Sequence, residues 1–172
     1  MKRFLKSWGS TILLCFSIVF LKVAVIDFVK VEGMSMYPTL NDKDRLVIEK
    51  ISRYNNTFKR GDIVILNSHR EDEDSNINQY WVKRIVALQG DTVECKNGKL
   101  FVNNEEVKED YILDDIKTYN IVKTTVPKGR LYVLGDNRMR SSDSRVIGCI
   151  SVDDILGKVI YNAGNIEIFN KE

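Results

Sequence analysis

From Ser7 to Ile26 the chain is mostly apolar, and no run of that length recurs after it. About twenty residues rising about 1.5 Å each match the hydrocarbon core of a bilayer, so the pattern predicts one membrane-spanning helix over residues 7–26. Lys22 is the charged position inside the run. It lies about one turn before the end, where a long stem lets the ammonium snorkel to the interface. Lys2, Arg3 and Lys6 precede the run, and a basic flank keeps its side of the membrane cytoplasmic. Residues 1–6 are then a cytoplasmic N-terminus, and residues 27–172 an extracytoplasmic domain of a single-pass cell-membrane protein. The run is long for a signal-peptide core and no Ala-x-Ala-like site follows, so an uncleaved anchor is expected.

Beyond the anchor the pattern changes to short runs rich in Val and Ile. Arg45–Ser52, Asp62–Asn67 and Tyr80–Gln89 read as strands. Thr92–Lys96 and Lys99–Val102 flank Asn97-Gly98, a strong hairpin signal. Further strands are expected at Tyr119–Val126, Arg130–Leu134, Gly157–Tyr161 and Ile166–Phe169, with a helical turn near Val152–Leu156. This alternation predicts a mainly β domain of antiparallel sheets, folded on one another or forming a partly open barrel. Residues 69–79 and 105–117 are polar and acidic and read as solvated surface insertions, with Tyr111, Ile112 and Leu113 a small apolar cluster in the second.

Composition narrows the function. A net charge of +2 is too small to imply a nucleic-acid partner. The three cysteines, Cys15, Cys95 and Cys149, follow neither a zinc pattern nor a disulfide framework. Cys15 reads as inert packing in the apolar run. Cys95 and Cys149 are read as half-buried free thiols, with pairing the alternative. The single histidine, His69, sits in the acidic stretch His-Arg-Glu-Asp-Glu-Asp, a poor setting for a Ser-His-Asp triad.

Without a histidine, chemistry falls to three other segments. In Gly33-Met-Ser35-Met-Tyr-Pro-Thr-Leu40 a serine stands on a turn, where its hydroxyl can face a peptide carbonyl and its N–H can hold an oxyanion. Ser35 follows Ile26 within at most about 30 Å of extended chain, close to the membrane face. In Trp81-Val-Lys83-Arg84-Ile-Val-Ala-Leu88 both faces of a strand are apolar and each carries a cation. Arginine stays charged and needs a carboxylate, whereas a buried lysine can lose its proton and become a general base. In Gly135-Asp136-Asn-Arg-Met-Arg-Ser141-Ser142-Asp143-Ser-Arg145, Asp136 is a candidate partner for Arg84. In the same segment Asp143 and Arg145 can pair, and Ser141 or Ser142 can orient the lysine.

These three segments, in this order, closely resemble the conserved boxes of bacterial type I signal peptidases, and Arg60-Gly-Asp-Ile-Val-Ile-Leu66 resembles a further strand of that family. The resemblance runs from the anchor almost to the C-terminus. It implies a membrane-bound serine endopeptidase with a β fold lying on the bilayer, Ser35 as nucleophile and Lys83 as general base. It further implies Ser141 as the serine that orients the lysine, and two supporting ion pairs, Asp143–Arg145 and Asp136–Arg84. Substrates would be secretory preproteins cut after small residues at the minus-three and minus-one positions, with Val29, Val31, Met36, Leu40 and Val82 lining shallow pockets. No metal or cofactor is implied. Where some members carry a serine that assists the oxyanion, this chain has Gly33, so the hole falls to the backbone N–H of Ser35 or to a further donor. Lys83 excludes the branch with a histidine base, and the size resembles the Gram-positive form.

Other readings are a self-cleaving repressor of the same broad fold, a relative that assembles pilin-like proteins, and a membrane-tethered binding module. The membrane run argues against the repressor. A module that only binds has no need of a lysine among apolar neighbours.

Overall fold

A computed structural model describes residues 2–20, 24–67, 80–113, 116–119, 121–164 and 167–168. Lys22, His69, the segment 69–79 and part of the strand expected at Ile166–Phe169 lie outside the described residues.

The N-terminal helix, α1 (Lys2–Phe20), carries apolar side chains around its second half, and Leu13, Leu14 and Phe16 are 67%, 60% and 71% exposed. Cys15 is exposed on it too, so it is not packed as the sequence suggested. Among the described residues no helix is long and apolar enough to cross a membrane. Ser7, Gly9, Ser10 and Thr11 dilute α1, and the apolar run continues into residues 21–23, outside the described residues. Ile26 does not end a helix. It opens a strand, β1 (Ile26–Lys30), because Phe28 and Val29 have the extended preference and a partner is at hand. That partner is β2 (Arg45–Glu49), paired antiparallel from Ile26↔Glu49 to Lys30↔Arg45.

The chain is mainly β, and its strand pairs are antiparallel. After β2 a short helix, α2 (Ile51–Asn55), replaces the end of the strand expected to reach Ser52. There follow β3 (Ile63–Asn67), β4 (Tyr80–Ala87), β5 (Thr92–Lys96), β6 (Lys99–Val102), β7 (Glu105–Glu106), β8 (Thr124–Thr125) and β9 (Arg130–Leu134). The helix α3 (Ser144–Ile147), β10 (Ile150–Ser151), a 3₁₀ turn at Val152–Asp154, β11 (Ile155–Asn162) and β12 (Glu167–Ile168) complete the described chain. The larger sheet runs β1-β2-β11-β3-β4-β9-β10, with β12 on β11, and the smaller runs β7-β6-β5-β8. Bulges interrupt the registers of β11 and β4, between Val159 and Tyr161, Ile155 and Gly157, and Ile85 and Ala87. Such bulges bend strands and raise local twist.

The β5–β6 hairpin turns at Asn97 and Gly98, which take φ 51° and 82°. Two successive left-handed residues match the twist of a tight hairpin, and glycine accepts that conformation without strain. The strand expected over Tyr119–Val126 shrinks to β8. Its approach still runs beside β5, where the Cys95 N–H donates to Ile121 O, but Tyr119 and Val122 turn outward.

Three apolar clusters hold the sheets. One gathers Val31, Met36, Leu40, Leu46, Ile48, Ile63, Ile65, Val82 and Val159 under the turn that carries Ser35. A second fills the space between the two sheets around Leu100, Val102, Val126 and Leu134. The third joins β3, β4 and β9 through Val64, Leu66, Ile85 and Val133. β4 is therefore buried on both faces from Val82 to Ala87, which sets the environment of Lys83.

Ile65 is 0% exposed at the centre of β3. Ile65→Ala should lower unfolding stability by about 2–5 kcal/mol, as buried aliphatic truncations do, read as an earlier denaturant midpoint by tryptophan fluorescence. A loss under about 1 kcal/mol would mean that this cluster does not carry the sheet.

Candidate active site

Ser35 stands on the turn between β1 and β2. Gly33 opens that turn at φ 91°, and its N–H donates to Asp42 Oδ1 at 2.9 Å. The Gly33 amide is thus engaged and not free to hold an oxyanion, whereas the Ser35 N–H has no such partner among the described residues. Met36 and Leu40 plug the turn into the core at 1% and 0% exposure, which fixes Ser35 above them.

Lys83 reaches the turn from β4. Its Nζ lies 3.0 Å from Ser35 Oγ and 2.9 Å from Val82 O. The Trp81 ring lies alongside, 5.5 Å from the amine. Lys83 is 3% exposed, and burial pulls its pKa down to about 8, against the opposing pull of Asp143 and Asp136. Taking an ammonium out of water favours its neutral form.

The loop after β9 supplies the remaining groups. Arg84 donates from Nε to Asp136 Oδ1 at 2.9 Å and from a terminal nitrogen to Oδ2 at 2.6 Å, and it also bonds Gly61 O. Thr39 donates its hydroxyl to the same carboxylate, so the Ser35 turn, β4 and the loop meet at Asp136. Asp143 takes two 2.8 Å hydrogen bonds from the Arg145 side chain and one of 3.0 Å from the Gly135 N–H. Burial pushes the Asp143 carboxyl up, but those donors hold it below the usual carboxylate range. Asn137 bridges to the turn, its N–H donating to Ser35 O and its side-chain amide to Met34 O, both at 3.0 Å.

Ser141 makes no hydrogen bond to Lys83; its Oγ is buried without a hydrogen-bond partner. A Cβ on Gly135 would meet Ser35 O at 2.5 Å as well as the Ser141 side chain, so only glycine lets the loop approach this closely.

The structure therefore gathers Ser35, Lys83, Arg84, Asp136, Ser141, Asp143 and Arg145 into one site. Val31, Met36, Leu40 and Val82 share the cluster beneath it, with Val29 at its margin. All four are at most 7% exposed, so they form a floor and not open walls. Cys95 and Cys149 are free, half-buried thiols on the second apolar cluster, away from Ser35. Among the described residues no group of three or more His, Cys, Asp or Glu is arranged to hold a metal.

Sequence reasoning gave no role to Asn137, Thr39, Arg138, Glu109 or Tyr111. Residues 105–117 are not only solvated surface: Glu109 is drawn into a buried ion pair with Arg138, and Tyr111 stacks on Arg84. The available signal was the unassigned Arg138, which no carboxylate of its own segment matched.

The family model described as signal peptidase, peptidase S26, matches residues 2–162. The chain is 40% identical over 170 residues to signal peptidase I P of Bacillus subtilis subsp. natto, covering 91% of this chain and 87% of that protein. It is 42% identical over 137 residues to signal peptidase I T of Bacillus subtilis strain 168, covering 74% and 68%. A crystal structure of a signal peptidase I from Enterococcus faecalis V583 is similar at a TM-score of 0.50 and 30% identity, covering 59% of this chain and 96% of that one.

Asp136 is fully buried, and among the described residues Arg84 is its only ion-pair partner. Arg84→Met should leave an uncompensated carboxylate and destabilise the fold by about 3–5 kcal/mol. Arg84→Met with Asp136→Asn should recover part of that loss. Thermal melts of the two variants compare them, and equal melting temperatures for wild type and Arg84→Met would show that the pair does not stabilise.

Proposed function

The chain belongs to the signal peptidase family, peptidase S26, and from that premise we propose that Ser35 and Lys83 form its catalytic dyad and cut signal peptides from secretory preproteins at the membrane face. The observation that carries this reading is one distance, 3.0 Å between Lys83 Nζ and Ser35 Oγ, with the amine buried. Family membership makes the chain a serine endopeptidase. The dyad, the membrane placement and the cleavage rule are the finer reading.

In this mechanism the neutral Lys83 amine accepts the Ser35 proton as Ser35 Oγ attacks the scissile carbonyl. The developing oxyanion is held by the Ser35 N–H. The protonated lysine then delivers its proton to the leaving amine. An ester joins Ser35 to the signal peptide until a water, deprotonated by the same lysine, hydrolyses it. The hydrogen bond to Val82 O aims Lys83 throughout. In this reading the floor made by Val31, Met36, Leu40 and Val82 underlies shallow pockets that take only small side chains at minus-one and minus-three.

The anchor reading is supported by α1, whose exposed apolar side chains lack a protein surface to cover them and suit lipid. The basic residues Lys2, Arg3 and Lys6 support a cytoplasmic start for it. β1 follows within a few residues and leads directly to the Ser35 turn, so the hydroxyl stays near the bilayer.

The test is cleavage of a preprotein with an Ala-x-Ala site by the purified chain in detergent. Ser35→Ala, Lys83→Ala and Lys83→Arg should lose at least about a thousandfold in kcat/KM. A folded Lys83→Arg protein with turnover near wild type would remove Lys83 from the mechanism. Because only the neutral amine is a base, kcat/KM should climb as pH rises and level off above about 8. A profile flat between pH 6 and 9, about this value, with chemistry limiting would contradict the base assignment.

A further inference from the structure

Residues Glu109–Leu113 leave the small sheet and lie across the loop after β9. Arg138, with its side chain 0% exposed, meets Glu109, 8% exposed, through both terminal nitrogens. The same guanidinium donates to Thr118 Oγ1, and its Nε donates to Gly135 O at 3.0 Å. The Tyr111 hydroxyl donates to Glu109 Oε1 at 3.0 Å. The Tyr111 ring lies between two arginines, its centroid 4.0 Å from Arg84 Cζ and 6.0 Å from Arg138 Cζ.

Both arginines end on atoms next to the Ser35–Lys83 pair. Arg84 follows Lys83 in β4 and holds Asp136. Arg138 holds the carbonyl of Gly135, whose backbone lies so close to Ser35 O and Ser141 that a methyl group would not fit. A shift of Gly135 is therefore passed directly to the nucleophile turn. We propose that Tyr111 and Glu109 are positioning residues for the proposed dyad: the ring, stacked on Arg84 and Arg138, and the carboxylate, paired with Arg138, staple the Gly135–Asp136 loop against β4 and keep Ser35 and Lys83 in bonding reach and out of water.

This rests on the reading of Ser35 and Lys83 given above and extends it to a segment outside the three boxes. Cationic guanidiniums stack favourably on a ring face, and the ring also seals them from solvent. The charged and titratable groups facing Lys83 are Asp136 and Asp143 from the loop and Ser35 from the turn. Arg84 and Arg145 neutralise the two acids. Loosening the loop lets water reach the amine, which raises its pKa and shortens the time spent aligned.

The test compares wild type, Tyr111→Leu, Tyr111→Phe, Glu109→Gln and Ser35→Ala on the same preprotein in detergent, with folding followed by tryptophan emission. Leucine fills space without a π face, and phenylalanine keeps the ring. Tyr111→Leu should lose on the order of tenfold or more in kcat with KM changed by less than about twofold. Its kcat/KM should rise only at higher pH than wild type. Tyr111→Phe should keep most of the kcat and the wild-type pH profile, and Glu109→Gln should shift the profile in the same direction as Tyr111→Leu. Should Tyr111→Leu fail to fold, Glu109→Gln carries the same two readouts. Wild-type kcat in Tyr111→Leu and Glu109→Gln, or a lower kcat with an unmoved pH profile in both, overturns the staple while the dyad stands. Turnover by Ser35→Ala would sink the dyad and the staple together.

Discussion

The burial of one amine governs this site. Lys83 and Arg84 point from adjacent positions of β4 into opposite faces, and both faces are apolar. Each cation has to answer the same desolvation, and the two side chains answer it differently. A guanidinium does not give up its proton, so Arg84 needs the bidentate Asp136 carboxylate and the Gly61 carbonyl. An ammonium can give up its proton, and Lys83 is drawn toward that at a pKa of about 8. At pH 7 about a tenth of such amines are neutral, against roughly one in three thousand for a lysine at its ordinary 10.5.

That burial is produced by distant parts of the chain. The Ser35 turn is plugged by Met36 and Leu40, the loop after β9 closes from the other side, and Asn137 joins the two through both its backbone and its side chain. Thr39 and Arg84 converge on Asp136, so the three segments share one buried carboxylate. The larger sheet sets their relative positions: β3 pairs Val64 with Lys83, and β9 pairs Leu134 with Arg84, one residue before the loop begins. A rigid strand on each side of Lys83 leaves its stem little freedom, and the hydrogen bond to Val82 O removes much of what remains.

Local pattern made part of this legible. The β5–β6 hairpin keeps its expected bounds because alternation and Asn97-Gly98 are both local signals, and β9 likewise follows a run bounded by Lys128-Gly129 and Gly135. β1 was hidden because Ile26–Lys30 is short, abuts the apolar run and is interrupted by Asp27, and only pairing with β2 makes it a strand. The short β8 was overread, since Val and Thr content does not reveal that Val122 turns outward. In the site, residue types and order point to Ser35, Lys83 and the Asp136 partner of Arg84. The segment 105–117 reads as surface for a physical reason: an acidic run is solvated unless a buried arginine elsewhere needs it, and Arg138 lies far from Glu109 in sequence.

Charges surround a centre whose proposed chemistry depends on an uncharged amine, and the pairing pattern reconciles the two. Asp136 and Asp143 both favour the protonated form of Lys83, which alone would return it toward an ordinary lysine. Neither acts alone, because Arg84 and Arg145 sit directly on them. A carboxylate with a bonded guanidinium presents a dipole to its surroundings, and a dipole's field falls faster with distance than that of a charge. Arg138, a buried cation of the loop after β9, is matched in the same way by Glu109. Three tight pairs thus meet at this loop and fix its shape. Burial is then the largest influence left on the amine, and it favours the form that can accept the Ser35 proton.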